Sequence, residues 1–285
     1  MRERAYAKIN LCLDVVRRRE DGYHDLRMIM VPVDFYDVVD LVPAEETTMS
    51  LNRSYLPVND KNTVIKAIHV MQERCGFDQN FACTLLKHIP TQAGLAGGSA
   101  DAAAAIRIIN RLLHLNLPYQ ELIDIAKEVG ADVPFCLVNR PALVEGIGEI
   151  LTPFKCPAEF GILLVKPRRG VSTKAAFGGL DFSTIEHPDV DGMKEALEKG
   201  DYNGMISRLG NSLEKVSLDL VGEIREVKET LLDLGFDGAL MSGSGSTVFG
   251  ITKSPHLLHN ASEVMRANGY FVRMTRIIDS SKRSS

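Results

Sequence analysis

A glycine-rich stretch at residues 90–105, PTQAGLAGGSADAAAA, runs straight into four consecutive alanines. Glycine tolerates positive φ and lets an anion approach the backbone closely, whereas alanine has the highest helix propensity. The pattern therefore predicts a loop followed by a helix that Ser99 caps. The first turn of such a helix carries unpaired N–H groups and the positive end of the helix dipole, which together suit a phosphate group.

The residues of this stretch leave a second interpretation open. A tight loop before a buried alanine-rich helix, packed against a sheet, would have the same composition. Two other nucleotide loops are excluded. No Gly-Lys-Ser/Thr follows the glycines, as a Walker loop requires, and the glycine spacing differs from that of a dinucleotide fingerprint.

The composition of the 285 residues is typical of a soluble globular protein and excludes several classes. A formal net charge of −4 argues against general nucleic-acid binding. The five cysteines form no C-x-x-C pair, so we expect neither disulfides nor a zinc site, but reduced thiols in a cytoplasmic protein. The charged N-terminus does not resemble a signal peptide, and no long apolar stretch predicts a membrane span. Residues 280–285 are expected to form a frayed tail.

Two polar features stand out in the N-terminal part of the chain. Residues 5–15 alternate as in a strand, which places Lys8 and Asn10 on the same face. An ordinary solvated lysine would fit this pattern as well. The sequence DGYH at residues 21–24 predicts a turn in which an aromatic ring and an imidazole are neighbours.

Helix and strand signals continue along the chain. Asn62 or Thr63 caps a predicted helix that Gly76 ends. From residue 160 onward we predict a strand, helical segments including one helix over 213–234, two strands, a helix and a strand, an order typical of a ferredoxin-like arrangement. The two late strands flank SGSGS at residues 242–246, whose N–H groups can form an anion nest.

A lysine, a carboxylate such as Asp132 and a phosphate-binding loop are the minimum set for phosphoryl transfer, which needs positioning and charge neutralisation. Asp132 is equally explained as ordinary turn chemistry.

The combination of lysine, carboxylate and phosphate-binding loop resembles the GHMP kinases over nearly the whole chain. The matching motifs are AKINL at 7–11, DGYH at 21–24, AGLAGGSADAA at 93–103, GADVPF at 130–135 and MSGSGSTVF at 241–249. Ser246 departs from the family pattern and is expected only to loosen the last loop.

The resemblance implies an α+β fold of two domains. Residues 1–155 would adopt a ribosomal S5 domain-2-like fold and bind ATP, and residues 156–285 would be ferredoxin-like and bind the substrate. The DGYH turn is the most specific motif, because other GHMP kinases lack it. It implies ATP-dependent phosphorylation of the 2-hydroxyl of a cytidine diphosphate-linked methylerythritol in the non-mevalonate isoprenoid pathway.

The resemblance also implies roles for single residues. Asp132 would take the proton of the substrate hydroxyl, and Lys8 would keep it ionised, since a nearby cation favours the charged carboxylate. The residues expected to bind the substrate are Asn10 and Thr173 near its phosphates or hydroxyl, Tyr23 and Phe177 on the two faces of the cytosine, and His24 as its hydrogen-bond partner. The residues expected to bind ATP are Asn62, Pro90, Gly94, Leu95, Ala96, Gly97, Gly98, Ser99 and Ala100.

Magnesium is expected with ATP, because phosphoryl transfer generally uses it. No protein ligand is assigned to the ion: Ser99 is one candidate, and Asp101 is equally explained as negative charge near a helix N-terminus.

We expect no nucleic-acid or membrane partner, and a monomer or weak homodimer. Two alternatives stay open. A mevalonate-type kinase would have no use for the DGYH turn, and a non-catalytic protein of the same fold would lack Lys8 or Asp132.

Overall fold

The computed structural model describes residues 1–157 and 159–278, so the predicted tail at 280–285 lies outside the described residues. The strands are β1 (Arg2–Arg18), β2 (His24–Ala44), β3 (Thr48–Leu51), β4 (Asn80–Leu86), β5 (Ala142–Gly146), β6 (Ile150–Pro153), β7 (Gly161–Lys166), β8 (Gly210–Asn211), β9 (Gly238–Met241), β10 (Val248–Thr252) and β11 (Phe271–Thr275). The helices are α1 (Thr63–Cys75), α2 (Gly97–Leu112), α3 (Tyr119–Val129), α4 (Val133–Val138), α5 (Thr173–Gly178), α6 (Val190–Lys199), α7 (Tyr202–Ile206), α8 (Glu214–Leu220), α9 (Glu223–Asp233) and α10 (Pro255–Ala267).

The first sheet is built on the two long strands β1 and β2. Its strand order is β3-β4-β2-β1-β8, with β5 also paired to β2 and β6 paired to β5. The strand predicted at residues 5–15 is present within β1, but all of these residues are buried, so neither face of this part lies in water. The interpretation of Lys8 as a solvated lysine is therefore wrong, since this residue is 4% exposed.

Helix α1 begins and ends as its sequence predicts. Asn62 Oδ1 accepts a hydrogen bond from the N–H of Val64 over 3.0 Å, which satisfies a backbone donor that has no partner within the helix. Gly76 ends the helix with a φ of 68°, a left-handed conformation that favours glycine.

Helix α2 begins earlier than predicted. Its first residue is Gly97, and Ala96 precedes it with a φ of 55°, so the predicted cap at Ser99 is wrong. The backbone makes the turn before it reaches the serine, because Gln92, Gly94 and Ala96 all have positive φ. Two of the three predicted loop glycines, at positions 97 and 98, are therefore helical.

The second sheet has the order β11-β7-β10-β9, with antiparallel neighbours throughout. The apolar residues 162–165 of β7 are fully buried at its centre. This order, with α10 between β10 and β11 in the chain, confirms the predicted ferredoxin-like arrangement. The single helix predicted over 213–234 is wrong, because Val221, with a φ of −140°, interrupts it and separates α8 from α9.

The chain forms two compact units, each composed of separate segments. The first unit comprises Met1–Ala7, Phe35–Pro90 and Ala96–Asn139, and the second comprises Lys8–Asp34, Thr91–Leu95 and the described residues from Arg140 onward, 140–157 and 159–278. The domain boundary predicted after residue 155 stays a prediction. Within the described part of the chain, none of the helices has the length and apolar character needed to cross a membrane.

Candidate active site

Lys8 and Asn10 are buried neighbours on β1. Lys8 Nζ donates a hydrogen bond to Asn10 Oδ1 over 2.8 Å, and Asn10 Nδ2 lies 3.3 Å from the sulfur of Met28. Burying an ammonium group costs free energy unless polar partners compensate for its lost hydration. The strand therefore presents a cation and an amide in fixed positions from one face.

The SGSGS turn at residues 242–246 lies against this pair. A Cβ atom built on Gly243 would be 3.3 Å from Lys8 Nζ and 3.4 Å from Asn10 Oδ1. The glycine has a φ of 56°, so a side chain would be strained here as well as crowded. The turn thus brings its backbone close to the cation.

The glycine loop is hydrogen-bonded to the same turn. Ser242 Oγ donates to the carbonyl oxygen of Gly94 over 2.9 Å, and Thr247 N donates to that of Ala93 over 3.2 Å. On its other side, the loop accepts a hydrogen bond at the Leu95 carbonyl from Lys8 N over 3.2 Å. Strand, loop and turn therefore form one cluster within the second unit.

Thr173 and Ser246 join the turn to the loop that opens α5. The hydroxyl of Thr173 is 3.0 Å from that of Ser244. Ser246 is fully buried and donates to the carbonyl oxygen of Arg169 over 2.6 Å. The expectation that Ser246 loosens the turn is therefore wrong, because its hydroxyl anchors it.

A group of aromatic rings lies at the start of β2. The centroid of the His24 imidazole is 5.0 Å from that of Phe177 and 6.0 Å from that of Phe182, and the ring is within 10° of parallel to Phe182. Tyr23 is 59% exposed, so its ring is accessible to a ligand. Burial, together with the positive charge of Arg18, lowers the pKa of His24. The imidazole is therefore neutral at neutral pH.

Sequence reasoning identified Phe177 but missed Phe182. Phe177 is half-buried, so it is not a residue of the hydrophobic core. Phe182 lies in a polar stretch without helical or strand periodicity. The signal that could have identified Phe182 is a lone aromatic residue in such a stretch, because no helix or strand is there to bury it.

The first turn of α2 has the backbone geometry that an anion needs. The N–H groups of residues 97–99 precede the first helical hydrogen bond, which runs from Ala100 N to the carbonyl oxygen of Ala96 over 2.9 Å. Leu95 and Ala100 are each 1% exposed, so almost none of either residue is accessible in this structure, and their contact with a nucleotide stays a prediction. Pro90, at the entrance to the loop, is half-buried.

Asn62 and Asp132 both precede helices of the first unit. Besides capping α1, Asn62 donates from Nδ2 to the carbonyl oxygen of Pro57 over 2.9 Å, so its oxygen and its nitrogen both have partners. Asp132 is half-buried and occupies the cap position of α4. The pairing of Asp132 with Lys8 and the binding of ATP by Asn62 stay predictions.

A buried charge cluster of the first unit was not anticipated. Lys87 Nζ donates to Asp37 Oδ2 and, over 2.6 Å, to Asp101 Oδ2. Asp37 Oδ1 accepts the N–H groups of His88 and Ile89 over 2.5 and 2.8 Å. Asp101 is 2% exposed. Its interpretation as mere helix N-terminal charge is therefore wrong.

One ammonium group cannot neutralise two buried carboxylates. Burial raises the pKa of Asp101 well above its usual range, and Asp37 adds to the rise, against the lowering effect of Lys87. Burial alone would lower the pKa of Lys87, but the carboxylates of Asp101 and Asp37 outweigh it and raise that pKa. Asp101 Oδ1 is buried and has no hydrogen-bond partner among the described residues. The cluster thus holds one ammonium group between two buried carboxyl groups, and Asp101 is the one whose pKa is raised.

Among residues 1–157 and 159–278, no group of three or more His, Cys, Asp or Glu side chains is placed to hold a metal ion. Magnesium does not require such a group, because it usually keeps several waters and binds through substrate phosphates and one or two carboxylates.

Family models match both halves of the chain. The model described as GHMP kinases N terminal domain matches residues 62–140, which include the start of α1, the glycine loop and Asp132. The model described as GHMP kinases C terminal matches residues 193–270, which include the SGSGS turn.

Curated relatives match the chain over most of its length. The 4-diphosphocytidyl-2-C-methyl-D-erythritol kinase of Lachnospira eligens is 44% identical over 272 residues, which cover 94% of each chain. The enzyme of the same name from Bacillus subtilis is 42% identical over 253 residues, which cover 88% of each chain.

Solved structures agree with this comparison. A crystal structure of 4-(cytidine 5'-diphospho)-2C-methyl-D-erythritol kinase, 32% identical, has a TM-score of 0.81 and covers 96% of this chain and 99% of its own. The homoserine kinase of Cytophaga hutchinsonii, 21% identical, has a TM-score of 0.73 over 95% of this chain and 94% of its own, and it shows the fold alone. The predicted two-part α+β fold is confirmed. With both family models matched and relatives 44% and 42% identical along most of its length, the chain belongs to the GHMP kinase family.

Proposed function

We propose that this kinase transfers the γ-phosphoryl group of ATP to the 2-hydroxyl of 4-diphosphocytidyl-2-C-methyl-D-erythritol, in the non-mevalonate isoprenoid pathway of the cytoplasm. The observation that carries the proposal is the contact between His24 and Phe177, next to the exposed ring of Tyr23. This group suits a pyrimidine base, for which a mevalonate or homoserine kinase has no use. The names of the relatives support the same substrate.

In the proposed base site, the residues that hold the base differ from the residue that distinguishes one base from another. Stacking on an aromatic ring contributes about 1–3 kcal/mol per base and accepts any base. A neutral imidazole offers one N–H donor and one acceptor nitrogen, so His24 can distinguish the polar edges of two pyrimidines. Tyr23 and Phe177 would therefore hold the ring, and His24 would select cytosine.

In the proposed chemical step, Asp132 takes the proton of the 2-hydroxyl while the hydroxyl oxygen forms a bond to the γ-phosphorus. The bond from that phosphorus to the bridging oxygen breaks, and ADP leaves with its electron pair. Lys8 stabilises the negative charge on the transferring group, and its hydrogen bond to Asn10 fixes the direction of the ammonium. Thr173, at the edge of the SGSGS turn, would contact the diphosphate of the substrate.

ATP would place its phosphates at the first turn of α2, where N–H groups and the helix dipole favour negative charge. The N–H groups of residues 97–99 are free of helical partners and support this placement. Magnesium, bound to the phosphates, would neutralise part of their charge. No residue of this chain is assigned to the ion, and Ser99 is the candidate.

The proposal is tested by measuring ADP release with three acceptors: the cytidine substrate, mevalonate and homoserine. We expect turnover with the first alone. Asp132→Asn should lower kcat by about 10²–10⁴-fold, the usual effect of losing a general base, without lowering Tm. Asp124→Asn is a matched control, since Asp124 is also half-buried in the first unit and should keep full activity.

Two outcomes would contradict the proposal. Faster turnover of mevalonate than of the cytidine substrate would favour the mevalonate-type alternative. An Asp132→Asn variant that kept more than half of its activity would show that another group takes the proton.

A further inference from the structure

We propose that Phe182 is a positioning residue for His24, and that the contact between Asp14 and His187 holds the segment that presents it. This inference rests on the proposed function, in which His24 recognises cytosine. It assigns a part in specificity to residues 181–189, which precede α6 and belong to no helix or strand.

Two phenyl rings restrict the imidazole of His24. Phe177 lies 5.0 Å from it at an interplanar angle of 33°, and Phe182 lies 6.0 Å from it at 10°. A stacked ring hinders rotation of the imidazole about its own side-chain bonds, and so it fixes the direction of both ring nitrogens. A hydrogen bond to a base requires that direction to be held.

Side-chain contacts fasten the middle of the segment. His187 Nδ1 lies 2.7 Å from Asp14 Oδ1 on β1. Next to it, Ser212 Oγ donates to the carbonyl oxygen of Glu186 over 2.8 Å. Asp14 is 9% exposed, so the carboxylate that receives the imidazole is itself held within the fold. These contacts replace the backbone ladder that a helix or strand would supply.

The two ends of the segment are held in different ways, one by a local turn and the other by the start of α6. Asp181 Oδ1 accepts the N–H and the hydroxyl of Ser183 over 2.9 and 2.6 Å, which closes a turn around Phe182. Asp189 caps α6 by accepting the N–H of Gly192 over 2.9 Å. Loss of the contact at His187 would therefore loosen the turn that carries Phe182, while the start of α6 stays in place.

The first experiment measures kcat and KM for the cytidine substrate, for its uridine analogue and for ATP with Phe182→Ala. We expect KM for the cytidine substrate to rise about three- to tenfold, the range that one aromatic pair represents. The preference for cytidine over uridine should shrink, and KM for ATP should stay unchanged. The control is Phe271→Ala, which truncates a phenylalanine of similar exposure, 38% against 39%, on β11.

The second experiment compares His187→Ala with His187→Gln. Alanine removes the contact with Asp14 and should reproduce a weaker form of the Phe182→Ala pattern. Glutamine keeps a hydrogen-bond donor and should restore most of the preference. A double variant, Phe182→Ala with His187→Ala, should be no worse than Phe182→Ala, because both changes act through the same ring.

A readout without substrate separates this inference from the proposed function. Because burial contributes to the lowered pKa of His24, removing Phe182 should bring that pKa closer to 6.5 in an NMR titration, with Arg18 still lowering it. An unchanged titration together with an unchanged cytidine preference would overturn the inference. If the wild-type protein did not use the cytidine substrate at all, the proposed function would fail, and the titration alone would decide whether Phe182 positions His24.

Discussion

Ser242 Oγ donates a hydrogen bond to the carbonyl oxygen of Gly94 over 2.9 Å, although the two residues are 148 positions apart in the chain. The bond joins the glycine loop to the SGSGS turn, and the same turn approaches Lys8. The loop is thus shaped by residues distant in sequence as well as by its own glycines.

Gly94→Ala should destabilise the protein strongly. The added Cβ would lie 1.9 Å from the carbonyl oxygen of Ser242, and the residue has a φ of 71°. Left-handed backbone alone costs an alanine about 1–2 kcal/mol, and the clash adds to this. Gly76→Ala is the control, since Gly76 has a φ of 68° but open space around its Cβ position. In urea unfolding, Gly94→Ala should lower the free energy of unfolding clearly more than Gly76→Ala does. Equal decreases for the two variants would mean that the contact with Ser242 imposes no cost.

Gly98→Ala should weaken ATP binding without harming the fold. Alanine stabilises a helix relative to glycine by about 1 kcal/mol, and the new Cβ would meet only the Thr63 side chain, at 3.3 Å from Oγ1. A methyl group at the first turn should nevertheless keep phosphate away from the backbone. We expect a higher KM for ATP, an unchanged KM for the cytidine substrate and an unchanged or higher Tm. An unchanged KM for ATP would remove Gly98 from the nucleotide site.

Gly97 is unsuitable for the same test. Its Cβ would lie 2.9 Å from Ile89 Cγ2 and 3.2 Å from Lys87 Nζ, so a substitution would disturb the buried charge cluster. Losses of ATP binding and of stability would then be inseparable.

The charge cluster should leave a signature in the pH dependence of stability. The pKa of Asp101 is raised in the folded state, so its favourable contribution is present below about pH 3.9, the usual value, and is lost as the pH rises through the raised pKa. In that window Asp101→Asn should unfold with a flatter pH dependence than the wild-type protein. Urea unfolding between pH 4 and 8 measures this difference.

Lys87→Met provides the contrasting variant. It leaves the Asp37 carboxylate buried without its ammonium partner, which typically costs about 3–5 kcal/mol. If Lys87→Met were tolerated, the buried Asp37 carboxylate would not depend on the ammonium group. If Asp101→Asn kept the wild-type pH dependence, the pKa of Asp101 would not be raised in the folded protein.

Replacements of His24 and Phe177 should have different effects on base recognition. Phe177→Ala removes a ring that accepts any base, so kcat/KM should fall alike for the cytidine substrate and its uridine analogue. His24→Ala removes the hydrogen-bonding partner, and a mismatched buried polar group costs about 1–3 kcal/mol. The preference between the two analogues should therefore shrink. An equal loss for both analogues with His24→Ala would contradict its recognition role.

Local signals in the sequence predicted the features that depend on neighbouring residues. The cap of α1 at Asn62 and its end at Gly76 follow from side-chain and backbone preferences within a few positions. The order of strands and helices in the second half was also predictable, because each element has its own periodicity. The start of α2 was not predictable. The turn before it is shaped by Gln92 and Ala96, which adopt the left-handed backbone conformation that usually marks a glycine.

Long-range pairings could not be predicted from the sequence, because no regular spacing relates the partners. Asp37 and Lys87 are 50 positions apart, and Asp101 follows Lys87 by 14, so no helix or strand period relates the three. The burial of Lys8 was hidden for a similar reason, because alternation along a strand does not reveal whether its polar face is covered. Both findings required the three-dimensional arrangement.

The Asp37 carboxylate receives two successive backbone N–H groups at the end of β4 as well as the Lys87 ammonium. This part of the chain, which leads to the glycine loop, is therefore preorganised before a nucleotide arrives. A preorganised binding segment loses little conformational entropy on association, so more of each contact contributes to affinity. On this basis, the buried carboxylate of β2 would help to set how tightly ATP binds without touching it.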